Sequence, residues 1–203
     1  MVPDTLTLKN AALIKIQEPP MTTESDSGTA PDAVNNNYDR CRTLVLSRHR
    51  WNFAQKRCLI NKTGVPPFRY KSMLAVPNDL LQLEAVYYCN EPYSDYLFEQ
   101  RQILSDPITL GIQYTQDVSD VTVFPDLFVE SLCCMLAEQI APLILNNDSA
   151  SARLNQDYAG AITKACQRNL IESPQQERPD PYDAWTDARR VATPFRGRYD
   201  PYR

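Results

Sequence analysis

Phe124–Leu145 reads FPDLFVESLCCMLAEQIAPLIL. Pro125 suits the first turn of a helix, where its missing N–H costs nothing, and Leu127, Phe128, Leu132, Met135, Leu136, Ile140 and Leu143 then share a wide apolar face. Pro142 is expected to kink or end this helix. Downstream, Leu154, Tyr158, Ala161, Ile162 and Ala165 place a final helix from about Ser149 to Glu172, with Asp148 and Ser149 available to cap its start. Upstream, two more helical patterns appear. Leu6, Leu8, Ala12, Leu13 and Ile16 give a stripe over Thr5–Gln17 that ends at Pro19 and Pro20. Val34, Tyr38, Cys41, Val45 and Asn52, at spacings of 4, 3, 4 and 7, predict a long helix from Pro31 to about Gln55.

Between Arg57 and Val123 the pattern changes to short β-prone runs: Cys58–Ile60, Tyr70–Leu74, Leu81–Tyr88, Tyr96–Leu104 and Leu110–Tyr114. Proline, asparagine and aspartate separate them, which predicts a small antiparallel sheet. The expected fold is therefore mainly α: a four-helix bundle (residues 1–56 and 124–173) with an inserted β region (57–123) and an extended C-terminal arm (174–203). That arm holds five prolines, six arginines and the aromatics Tyr182, Trp185, Phe195, Tyr199 and Tyr202. It is too poor in aliphatics to form a core and too aromatic for an inert linker, which suits docking.

Composition removes several function classes. At 203 residues a large multidomain enzyme is excluded. The five glycines, at 28, 64, 111, 160 and 197, permit neither a phosphate loop nor a Gly-x-Gly-x-x-Gly turn. His49 is the only histidine, so multi-histidine zinc sites are out and any Ser-His-Asp or Cys-His arrangement has one possible base. The six cysteines lack a Cys-x-x-Cys pair and read as small buried thiols. No cofactor and no metal are expected. No uninterrupted apolar run approaches the ~18 to 20 residues of a membrane span, and the N-terminus does not read as a secretory signal.

Charge is segregated. Arg40, Arg42, Arg48, Arg50, Lys56, Arg57, Lys62, Arg69 and Lys71 follow one another without an intervening acid, whereas Ser72–Asp148 carries twelve acids against Arg101 alone. Three readings are open: pairing within one subunit, pairing between copies in a head-to-tail contact, or nucleic-acid binding by the basic stretch. The third ranks last, because the whole chain is acidic, with a net charge of −4, and its helical arginines point in many directions.

His49–Arg57 reads HRWNFAQKR, preceded by Tyr38-Asp39-Arg40 and Leu44 and followed by Pro66-Pro67-Phe68 and by LAVPNDL at Leu74–Leu80. These phrases resemble the head-to-tail adaptors of short-tailed bacteriophages, of the tail tubular protein A type. IQEPP at Ile16–Pro20 and the FPDLF opening at Phe124–Phe128 extend the resemblance to about residues 6–172; Arg50 stands where that family often has proline. The resemblance implies a non-enzymatic virion protein of the tail, assembled in the host cytoplasm. It forms a ring, usually of twelve subunits, between the capsid portal and the tail nozzle, and its channel passes double-stranded DNA without sequence-specific binding. Tail fibres are a further partner the family suggests, and no membrane is involved.

On this reading Arg40, Arg42, Arg48, Arg50, Lys56 and Arg57 are the candidate subunit interface. Tyr182, Trp185, Arg189, Arg190, Phe195, Arg196, Arg198, Tyr199 and Tyr202 are the candidate docking groups of the arm for portal or a neighbouring subunit, and Trp51, Phe53 and Phe128 are core anchors. His49 is expected to cap or pack near a helix end. A soluble hydrolase using a carboxylate or a Cys/His49 site is the alternative.

Overall fold

The computed structural model describes residues 4–145 and 148–172, without the side chains of 148 and 149. The arm from 174 to 203 therefore lies outside the described residues, as do the side chains of the Asp148–Ser149 cap. Among the described residues there are four α-helices: α1 (Thr5–Lys15), α2 (Thr29–Arg48), α3 (Asp126–Ile144) and α4 (Asp148–Glu172). Asp4, in extended backbone, starts α1 by accepting a hydrogen bond from Thr5 N–H. α3 is the hub, packed against α1, α2 and α4. Leu13, Val34, Val45, Phe128, Leu132, Ile140 and Leu154 meet in this helical core. By length and composition α3 could cross a membrane, with a mean hydropathy of 1.6 over its most apolar 18-residue window, and half of that window is buried within the fold.

The expected mainly-α four-helix bundle is wrong. The chain between the helices builds a seven-stranded antiparallel sheet that curls into a half-barrel. Its strands are β1 (Gln55–Gly64), β2 (Ser72–Ala75), β3 (Leu80–Tyr88), β4 (Glu91–Pro92), β5 (Leu97–Glu99), β6 (Gln102–Ser105) and β7 (Thr109–Gln116), in the order β4-β3-β7-β1-β2-β6-β5. Ile60, Leu74, Val76, Leu80, Val86, Ile103, Leu110, Ile112 and Tyr114 form a second core on its inner face. The sheet, which lies between α2 and α3 in the chain, thus carries a core of its own. Residues 1–172 nonetheless cluster as one compact unit.

One helix end also differs from expectation. α2 stops at Arg48 instead of Gln55, and His49 is already extended at φ −149° and ψ 156°. The cause is Trp51, which turns back so that its Nε1–H donates to the Val45 carbonyl at 2.9 Å, one of the last-turn acceptors that a helix leaves open. A 3-10 turn at Asn52–Ala54 then leads directly into β1. Pro142, by contrast, does not end α3, which runs on to Ile144.

Candidate functional site

The corner between α2 and β1 is built on aromatic rings. Trp51 and Phe128 are buried and meet edge to face at 5.0 Å, while Phe53, half-buried, stands 4.9 Å from Phe128 and 5.7 Å from Phe124. Edge-to-face pairs of this kind add about 0.5–1.5 kcal/mol beyond burial. The last turns of α4 close over the corner through Asn169. Its Oδ1 accepts from Asn52 N–H at 2.9 Å, and its carbonyl accepts from Asn52 Nδ2 at 3.0 Å. Its Nδ2 donates to the Arg50 carbonyl at 2.8 Å and faces His49 Nε2 at 3.1 Å. The backbone donor fixes the amide's orientation, so its Nδ2–H faces His49 Nε2, a contact that favours the neutral ring. Burial accordingly lowers the His49 pKa, against the opposing influence of Glu84.

Where the sheet adjoins the helices, a polar cluster replaces apolar packing. Gln113 Nε2 donates to Gln55 Oε1 at 3.1 Å, Gln55 Nε2 to Thr115 Oγ1 at 3.2 Å, and Thr115 Oγ1 to Glu84 Oε1 at 3.0 Å. Asp79 accepts from Lys56 Nζ at 2.8 Å and from the buried Tyr114 hydroxyl at 3.0 Å. Burial opposes ionisation of Asp79, yet these two donors hold its carboxyl below the usual value. Burial and the bond to Asp79 push Tyr114 up to about 12.

The structure divides the six interface arginines and lysines. Arg42 is buried, donating to Asp39 at 2.8 Å and to Asp117 at 3.1 Å. Arg50 lies 4.0 Å from Glu84, and Lys56 is bound to Asp79. The basic stretch thus meets the acidic one within a single copy at three of the six positions. Arg40, Arg48 and Arg57 are exposed and make no ion pair among the described residues. The arm residues from Tyr182 to Tyr202 lie outside the described residues.

As for the hydrolase chemistry, burial pushes the Cys41 thiol up to about 11 and Cys133 up to about 12, and raises Cys58, Cys134 and Cys166 as well. An activated nucleophile needs the reverse. Among the described residues, no group of three His, Cys, Asp or Glu side chains could hold a metal ion.

Two features went unread in the sequence. One is Asn169, an ordinary polar residue of an amphipathic helix, which carries no local signal of its contacts with Arg50 and Asn52. The other is a pair of apolar surfaces. Near the corner, an open cleft of about 390 Å³ lies over Trp51, Phe124 and Phe128. At the far end of β1, the loops β1–β2 and β6–β7 expose Val65, Phe68 and Ile108. The chain matches no family model and no curated protein sequence.

Proposed function

We propose that this chain is a structural virion protein, a ring-forming head-to-tail adaptor that joins the capsid portal to the tail nozzle and lines the channel for genome passage. One observation carries the reading. The HRWNFAQKR phrase, on which the resemblance chiefly rests, occupies the joint where the helical half passes into the sheet. Trp51 anchors that joint in the helical core, and Asn52 ties it to α4. A phrase that shapes the joint of a fold is shared for architectural reasons, and in an adaptor the architecture is the function. Exposed Arg40, Arg48 and Arg57 supply charge for contacts between subunits or with portal. The hydrolase alternative is disfavoured by the raised thiols and by the engagement of His49 with Asn169.

Native mass spectrometry and negative-stain imaging of the full chain, alone and with the portal protein, test the proposal. A closed homo-oligomeric ring, alone or on portal, is the expected result. A chain that remains a single copy, and that portal neither binds nor assembles, overturns it.

A further inference from the structure

At the end of the sheet remote from the helices, large apolar side chains stand in solvent. Phe68 is 78% exposed, Ile108 67% and Val65 66%. Patches of this kind on a folded chain mark interaction surfaces. The two loops that carry them lie side by side, since Lys62 N–H donates to the Ile108 carbonyl at 2.8 Å and Lys71 reaches Asp106 at 3.8 Å. The β1–β2 loop also carries Arg69 and Lys71 directly after Phe68, of which Lys71 is engaged by Asp106 of the neighbouring loop.

The opposite end of β1 leads back to Trp51 and to the cleft of about 390 Å³. Trp51, Phe124 and Phe128 line it from within the core, only 2%, 5% and 1% exposed, and Leu127, at 38%, is its most accessible large apolar side chain. Asp126, Arg168 and Glu172 also line it, the last two paired at 2.7 Å, which leaves Asp126 without an ion pair among the described residues. The ten residues of β1 separate knob from cleft, and at ~3.3 Å per residue that is roughly 30 Å, so the two cannot meet within one copy.

We infer that the apolar tip around Phe68 of one copy, with Arg69 beside it, seats in the cleft beside Leu127 and Asp126 of a second copy, a head-to-tail contact. Complementary charge, with Arg69 brought toward Asp126, sets the orientation, and the Phe68 ring supplies the buried anchor. Because the two surfaces differ, the contact propagates from copy to copy and closes into a ring when the rotation permits. The inference rests on the ring reading above in supposing that copies of this chain meet.

Phe68→Asp and Leu127→Asp test it in the full-length protein. Both positions are exposed, and an acid in the first turn of α3 suits the helix dipole, so both variants should retain the wild-type melting profile. Self-association is read by sedimentation velocity and native mass spectrometry over a wide concentration range. Each variant alone should associate at least ~30-fold more weakly than wild type, the scale set by losing a buried aromatic anchor. An equimolar mixture should form a two-copy species and stop there, because the intact tip of Leu127→Asp fits the intact cleft of Phe68→Asp and the remaining two surfaces are both spoiled. Loss of assembly in Phe68→Asp alone, with Leu127→Asp assembling normally, overturns the contact. A ring formed by both variants overturns it too and leaves the ring standing. Wild-type protein that never self-associates also overturns it, and the adaptor reading is then judged on portal binding. Open chains of wild-type copies that both substitutions abolish keep the contact and remove the ring.

Discussion

Single residues carry the joint between the two halves, and Asn169 does so through one amide. Its oxygen takes the Asn52 N–H and its nitrogen reaches both Arg50 and His49. Protonating His49 Nε2 would set two donors against each other, which agrees with a His49 pKa held below its ordinary 6.5 by burial. A base whose folded pKa is depressed contributes stability that is fully present above the unfolded value and lost as pH falls through the folded one. Conformational stability should therefore rise with pH through about 6.5, and His49→Gln should flatten that slope. With one histidine in the chain the imidazole NMR titration is unambiguous, and a midpoint at or above 6.5 would remove the argument. Trp51 offers a check on the same corner. Trp51→Ala removes a buried ring and its bond to Val45, an expected loss of about 3–5 kcal/mol by urea unfolding.

At the scale of elements, the turns explain why the sheet was underestimated. Cys89–Asn90 joins β3 to β4 with φ of 50° and 67°, and Gln100–Arg101 joins β5 to β6 with φ of 48° and 59°. Both are tight two-residue hairpin turns made without glycine. Gln and Arg carry little turn signal, so Tyr96–Leu104 reads as one run where the structure has two strands. Alternation was blurred as well, because Gln113 and Thr115 are buried on the face opposite Ile112 and Tyr114, under the polar cluster. Gly28, at the start of α2, shows the reverse case of a conformation a glycine makes possible: its φ of 145° is one that other residues rarely adopt. Gly28→Ala should cost about 1–3 kcal/mol, read as a lower urea midpoint at unchanged m-value. An unshifted midpoint would mean that the chain before α2 relaxes freely.

For the molecule as a whole, the question is whether two cores behave as one. The link from Arg42 to Asp117, the clasp of Asn169 on Asn52 and the contact of α2 with β3 tie the helices to the sheet. Ile103→Ala, wholly within the sheet core, should therefore lower the unfolding free energy read from the helical circular dichroism signal by about 2–5 kcal/mol. A helical signal that melts unchanged would split the unit in two. The four helices could be read along the chain, because an apolar face that repeats every three to four residues is a local property, and Phe128, Leu132 and Ile140 declare it without reference to anything distant. The basic and acidic segments were equally legible. Which charges remain available was not: Arg42 is spent on Asp117, 75 residues away, and Arg48 is left in solvent. The seven-stranded sheet, the closure of α4 over Trp51, and the separation of the Phe68 tip from the Leu127 cleft were likewise settled only by tertiary structure. Each depends on partners remote in sequence, since strand order, burial on both faces of a sheet and the exposure of an apolar loop are fixed by what folds against a segment and not by the segment itself.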